Sequence, residues 1–425
     1  MNPKANPKAI EPPSPAMVLG SWRTYPGVSC NQFSTATRLR PLAFRDVRLG
    51  HNRVAIGQEE LTRNPKAESG SFDIWNAGLF QTSGTRISNF FSNLLLLALL
   101  TPVLTGCKSP GLMAAKPLYR DPVYDGAADP AIAWNPLVKK WWMYYTDRRA
   151  NVPGLSGVTW VHGTPIGIAE SADGGAHWKF VGMAQFDLPA RFGGTNVTCW
   201  APDLTRAPDG TWQMFLTVVP GVFEDWNHPR DIVQLTSTDM LHWHDPRKLA
   251  LASDRVIDPS IERMPDGLWR LYYNDERSGK SIYYADSPDL ATWTDRGLAF
   301  KSRGEGPKGF RWHGKFWVII DEWKGLGVFR SGDGRQWDKQ PTNLVAGIGQ
   351  GPDDQAPGDH CDVVVSGDRA FLFYFTHPGR HGPDARKDGY EQRRSSIHVT
   401  ELQEQDGWLT CDRDKPTHVL LRPPE

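Results

Sequence analysis

Net charge is the first thing missing from this sequence. Its 425 residues carry 48 Lys and Arg against 48 Asp and Glu, a formal net charge of zero. Without a basic excess there is no electrostatic footprint for nucleic acid or an anionic membrane surface, so no nucleic-acid partner is expected. Cysteine is scarce as well, at five residues. Two of them, Cys30 and Cys107, leave the count for the reason given below. That leaves Cys199, Cys361 and Cys411, an odd number that makes no disulfide framework, although Cys199 and Cys361 each sit beside the start of an expected strand and could be neighbours. The apolar run Leu94 to Leu104 is too short to span a bilayer, which takes about 20 residues.

What is abundant is tryptophan, with 18 residues, alongside 41 Gly and 34 Pro. Such a mixture suits short strands, tight turns and stacking surfaces. The stretch from Val256 to Gly297 shows how they are used. Ile257 to Met264 reads as a strand, and Pro265-Asp266-Gly267 as a turn. Leu268 to Asn274 is an aromatic second strand, Ser281 to Ala285 a third, and a last strand lies around Trp293. The first half of this meander recurs from Asp129, Ala201, Glu305 and His360; the second half recurs from Gly167, Gln234, Gly327 and, weakly, Ser396. Each repeat carries an outer tryptophan: Trp178, Trp243, Trp293, Trp337 and Trp408. Five such meanders predict an all-β chain folded as a five-bladed β-propeller of four-stranded antiparallel blades.

The region upstream is different. Residues 1–85 are polar and Pro-rich with no sustained period, and read as a spurious or disordered segment ahead of the true start. Residues 86–107 run from Arg86 through the Leu94–Leu104 core to Leu104-Thr105-Gly106-Cys107. This is the layout of a secretory signal ending in a site that resembles the bacterial lipobox, with Cys107 as the lipid-anchored residue. The expectation is therefore an exported protein, periplasmic or a lipoprotein of the outer membrane or cell surface. A linker over 108–118 and a propeller over 119–425 would follow.

Propeller topology turns the repeats into a site. Asp129, Asp203, Asp258, Glu305 and His360 all stand at expected inner-strand starts, and inner strands line the axis, so the five are expected at equivalent positions around one mouth. Clustered carboxylates perturb one another's pKa values, as acid–base chemistry requires. The connections from second to third strand open on the same face. They are long in three blades, 147–165, 220–231 and 377–395, and carry Arg148, Trp160, His162, Trp226, His228 and Arg394. An aromatic, Arg-bearing rim over carboxylates suits a sugar, so the expected partner is an oligosaccharide or polysaccharide.

Ala128-Asp129-Pro130, Trp200-Ala201-Pro202-Asp203, Ile257-Asp258-Pro259 and Gly304-Glu305-Gly306-Pro307, in that order, resemble the motifs of glycoside hydrolase family 43. The resemblance covers roughly residues 119–408. It implies an inverting glycosidase that removes a terminal arabinose-, xylose- or galactose-type sugar from plant or algal glycans. Asp129 would be the general base, Glu305 the general acid, and Asp258 the carboxylate that tunes and orients the acid. Asp203 and Trp200 would support the substrate. His360 matches an axial histidine that in many members helps hold a calcium ion, often through water, so Ca2+ is the one metal implied. The sequence also resembles the related family 117 propellers, which cleave anhydrogalactose from agar fragments. A glycoside phosphorylase of related fold and a glycan-binding propeller without turnover are further readings.

Overall fold

The computed structural model describes residues 111–424. The upstream segment 1–85, the signal-like stretch 86–107 and the anchor site Cys107 lie outside the described residues. Five antiparallel sheets follow one another along the chain, each with its strands in simple meander order. The inner strands are Ala127–Asn135, Thr198–Arg206, Val256–Arg263, Glu305–Trp312 and Asp359–Ser366. Inner strands of neighbouring sheets contact each other around the ring, including the last with the first. The result is the five-bladed propeller that the repeats predict. Blade 2 departs from four strands: Gln185–Phe186 adds a fifth, pairing in parallel with His242–Trp243 at the outer edge. Leu112–Met113, inside the expected linker, instead pairs with His418–Val419 near the other end of the chain.

The second strands explain the aromatic half of the repeat. Lys140–Asp147, Trp212–Val219, Trp269–Asp275, Lys315–Asp321 and Arg369–Thr376 are buried along almost their whole length. Successive side chains point to opposite faces of a sheet, and here both faces meet a neighbouring blade. Tyr144 packs toward blade 2 and Tyr145 toward blade 5; Phe215 packs into the seam with blade 3. Five apolar clusters result, one per seam. No blade has a core of its own, so each is stabilised only by its neighbours.

The other half of the repeat is a turn. In blades 1 to 4, Ser171, Ser237, Ser287 and Ser331 each bond the Asp two residues on. That Asp then accepts backbone N–H groups beyond it, as Asp239 does from Leu241 and His242. The serine and aspartate therefore fold the third strand back into the fourth. Blade 5 lacks the pair and turns on Asp406-Gly407, both at positive φ, which is why its repeat reads weakly.

The seam between blades 5 and 1 is closed by the segments that flank the ring. Tyr119 bridges to Ile397, and the Trp141 indole donates to the Leu421 carbonyl at 3.1 Å. Beneath them Tyr119 and Tyr145 share a hydrogen bond, and Tyr145 donates to Asp121. Asp147 is fully buried beside this group, with no hydrogen-bond partner on either carboxyl oxygen among the described residues. Burial first, then the Asp121 carboxylate, pushes its pKa from 3.8 up to about 9. Because the native pKa lies above the unfolded one, Asp147 favours folding fully below the unfolded pKa, and this is lost as pH rises through the native one. Asp147→Asn is therefore expected to lose less thermal stability than wild type between about pH 6 and 9. Equal losses in calorimetry would show that Asp147 does not set this dependence.

The three cysteines of the described chain, Cys199, Cys361 and Cys411, are all free; Cys199 and Cys361 sit in different seams. No helix among the described residues is long and apolar enough to cross a membrane.

Candidate active site

Each inner strand bulges close to its start, where the ladder register slips. In four blades the bulge centres on a residue at positive φ followed by proline: Asp129-Pro130, Ala201-Pro202, Asp258-Pro259 and Gly306-Pro307. Left-handed backbone is uncommon for a residue with a Cβ, and it re-aims the side chain out of the ladder. At Gly306 a Cβ would sit 2.5 Å from the His360 ring, so only glycine fits there. Blade 5 bulges at His360.

These bulges correct the expectation of five equivalent residues. Asp129, Asp258 and His360 share the bulge level with Ala201 and Gly306. Glu305 stands one residue earlier, at the level of Ala128, Trp200, Ile257 and Asp359. Asp203 stands two residues later, at the level of Ala131, Ser260, Lys308 and Asp362. The motif acids therefore occupy three consecutive layers down the axis.

The upper two layers open into a cavity of about 1100 Å³. Asp129, Asp258, Glu305 and His360 line it together with Asp321 and Asp359, and Trp160, Trp200, Trp226 and Trp323 form its aromatic walls. Asp129 is held by one Arg148 nitrogen, 3.1 and 3.2 Å from its two oxygens. Arg148 also donates to His377 Nε2 at 3.1 Å, while His377 Nδ1 lies 3.0 Å from the Arg394 carbonyl. An arginine can only donate and a carbonyl only accept, so His377 is neutral with its proton on Nδ1. Burial, reinforced by Arg380 and Arg148, keeps its pKa well below the usual histidine range.

Glu305 is held differently. The Trp323 indole donates to its Oε1 at 3.1 Å and the Lys280 ammonium to its Oε2. Lys280 reaches Glu276 as well, at 3.0 Å, and Glu276 pairs with Arg230, whose guanidinium lies over Trp200. Asp258 accepts the Gly306 N–H at 2.9 Å. Burial first, then Glu305 and Asp129, raises its pKa well above 3.8. Burial first, then Asp359 and Glu305, does the same for Asp321. Asp359 is raised to about 7 by burial, against the opposing pull of Arg380 and Arg148.

Several sequence candidates lie elsewhere. Asp203 does not line the cavity; it sits in the layer beneath, bonded to Lys308 and to the Ile261 N–H. His162 is buried behind the wall, accepting the Phe223 N–H at 3.1 Å and propping Trp200 and Trp226 edge-on. Burial, then Arg230, lowers its pKa to about 4. His228 stacks on Phe223 at 3.4 Å and pairs with Asp225. Arg394 is engaged by Asp353 and Glu391, 2.8 Å from each. The sequence reading missed Lys280, Asp321, Trp323, Asp359 and His377.

Among the described residues the side chains alone do not form a direct calcium cage on the axis. Calcium takes six to eight oxygen ligands at roughly 2.3–2.6 Å. Among the described residues no group of three His, Cys, Asp or Glu side chains is arranged to hold a metal. His360 offers only a ring nitrogen 3.5 Å from Asp129, and below it the Lys308 ammonium lies between the two axial carboxylates, Asp203 and Asp362.

No protein-family model matches the sequence, and no curated protein matches it significantly. Solved structures match the fold. A thermostable family-43 glycoside hydrolase is 18% identical with a TM-score of 0.51, covering 72% of this chain and 99% of its own. A β-xylosidase is 14% identical with a TM-score of 0.50, covering 69% and 97%. A family-43 β-1,3-galactosidase with galactodeoxynojirimycin is 13% identical at 0.50, covering 68% and 95%. The chain thus has a five-bladed propeller fold like that of family-43 glycoside hydrolases.

Proposed function

We propose that this protein is an inverting glycosidase that removes a terminal xylose-, arabinose- or galactose-type sugar from an oligosaccharide. The observation that carries the reading is the meeting of Asp129, Asp258 and Glu305, from three different blades, in one indole-walled cavity. Inversion needs a carboxylate to activate water on one side of the sugar and a protonated carboxyl to donate to the leaving oxygen on the other. Asp129, paired with the Arg148 guanidinium, suits the base. Glu305, on the cavity wall beside the indole of Trp323, suits the acid. Asp258, which lines the same cavity and whose pKa is raised by burial and by Glu305 and Asp129, suits the carboxyl that tunes the acid.

Lys280 sets the condition for the acid. In the free cavity it bridges Glu305 and Glu276. Lys280 therefore has a second carboxylate, Glu276, to pair with if a glycan displaces it from Glu305. Trp160, Trp200, Trp226 and Trp323 offer apolar faces on which a pyranose or furanose ring stacks. A histidine acid, as the family 117 resemblance implies, has less support: neither His162 nor His228 lines the cavity, and of the two that do, His377 is engaged on both nitrogens and burial lowers the pKa of His360.

The test is a panel of aryl glycosides and of plant and algal oligosaccharides, with NMR of the first product. One sugar class should be cut at the non-reducing end, and the released sugar should appear as the anomer opposite to that in the substrate. A retained anomer would refute the two-carboxylate assignment. Tight binding of glycans by wild type and Asp129→Asn alike, with no cleavage, would make the propeller a glycan-binding module.

A further inference from the structure

One layer below the cavity the axis holds a charged cross-brace that the proposed reaction does not use. Five inner-strand residues share this level, one from each blade: Ala131, Asp203, Ser260, Lys308 and Asp362. Ala131 and Ser260 are small and leave the centre to the other three. The Lys308 ammonium lies 2.8 Å from Asp362 Oδ1 and 3.2 and 3.1 Å from the two oxygens of Asp203.

Both carboxylates also reach across to the next blade. Asp203 Oδ2 accepts the Ile261 N–H at 2.9 Å, joining blades 2 and 3. Asp362 Oδ2 accepts the Ile132 N–H at 2.6 Å, joining blades 5 and 1. Ser260 accepts the Gly309 N–H at 3.1 Å, joining blades 3 and 4. Lys308, from blade 4, ties this set to both carboxylates, so one cation connects backbone or side chain in all five blades. Burial pulls its pKa down, but Asp203 and Asp362 together outweigh that and raise it, so it stays charged.

Two carboxylates facing each other on a buried axis are costly to ionise without a cation between them. A divalent metal is one solution and an ammonium group another. We propose that Lys308 is the protein's own axial cation, standing where a metal ion would otherwise stand and fixing the blades under the cavity without one. Lys308 is three residues from Glu305 on the same strand, and Asp362 two from His360, so the brace is a positioning device for the face above it. This inference is independent of which glycan the cavity takes.

Calorimetry of the full-length protein tests it. Wild type dialysed against a chelator and then given millimolar calcium should melt at one temperature throughout. Lys308→Ser leaves the two carboxylates and an empty space between them. In chelator it should melt lower by about 10 °C, as expected when a buried ion pair loses one partner in a domain of this size. Added calcium should restore part of that loss, with calcium binding visible by titration calorimetry. Lys308→Ser combined with Asp203→Asn should show neither the binding nor the recovery.

Three outcomes overturn the proposal. They are a wild-type midpoint that falls in chelator and returns with calcium, a Lys308→Ser midpoint equal to wild type, and a Lys308→Ser protein indifferent to calcium. If Lys308→Ser gives no soluble protein, the wild-type chelation result decides alone. None of these measurements involves glycan cleavage, so failure here and failure of the glycosidase reading remain distinguishable.

Discussion

Asp129→Asn is expected to lower the turnover of every cleaved glycoside by about 10²–10⁴-fold, the usual contribution of a positioned base or acid. The amide keeps the shape and its oxygen can still accept from Arg148, but it cannot take a proton from the attacking water. Glu305→Gln should lose a similar factor on natural glycans, whose leaving oxygen needs a proton, and much less on aryl glycosides with good leaving groups. Asp129→Asn should lose equally on both kinds of substrate, since water activation is needed either way. Steady-state kinetics of the two variants on a matched pair of substrates separates the roles. If Glu305→Gln leaves turnover of natural glycans unchanged, the acid has been misassigned. Asp321 and Asp359, whose carboxyls line the same cavity and are raised in pKa by burial, then become the groups to replace.

Arg413→Met should destabilise the protein by about 3–5 kcal/mol, the cost of leaving a buried charge without its partner. Arg413 forms a fork on Asp354, with both side chains almost wholly shielded from water. Its remaining nitrogen donates to the Val345 and Gly347 carbonyls at 3.2 and 2.6 Å. Tyr374 donates to the same carboxylate. This cluster pins the segment after the last blade to the connection between blades 4 and 5. Adding Asp354→Asn to Arg413→Met removes the stranded charge, and the double variant should recover part of the loss in urea unfolding. A double variant no more stable than Arg413→Met would mean that the cost lies in the lost carbonyl contacts rather than in the charge.

The blade count was legible because two chemical signals repeat with the fold. A second strand buried on both faces must be apolar throughout, and a Ser-x-Asp turn must hold its two side chains at fixed spacing. The level of each acid on the axis was not legible, because alternation along a strand is broken by one extra residue at every bulge. A usable signal was present in Pro130, Pro202, Pro259 and Pro307. Counting from these prolines sets Asp129 level with Asp258, Glu305 one residue above them and Asp203 two below. The rim defeats sequence reading for another reason. Trp160 and Trp226 line the cavity whereas His162 props the indoles from behind, and an aromatic residue on a long loop has the same composition in either role. Lys280 and Trp323 escaped notice because they come from short connections, each at a residue with positive φ.

The small ribbon of Leu112–Met113 with His418–Val419 brings the two ends of the described chain side by side, and no blade borrows a strand from the far end to complete itself. A ring built from five contiguous meanders has no preferred first member. If the two strands of that ribbon were joined and the chain reopened in the 249–255 connection between the second and third blades, every blade would remain whole, and only the connection carrying Leu249 of their seam would be cut. The cavity, fed by side chains from all five blades, would be unaware of where translation began. The order in which the blades are written is in that sense a property of the gene and not of the ring.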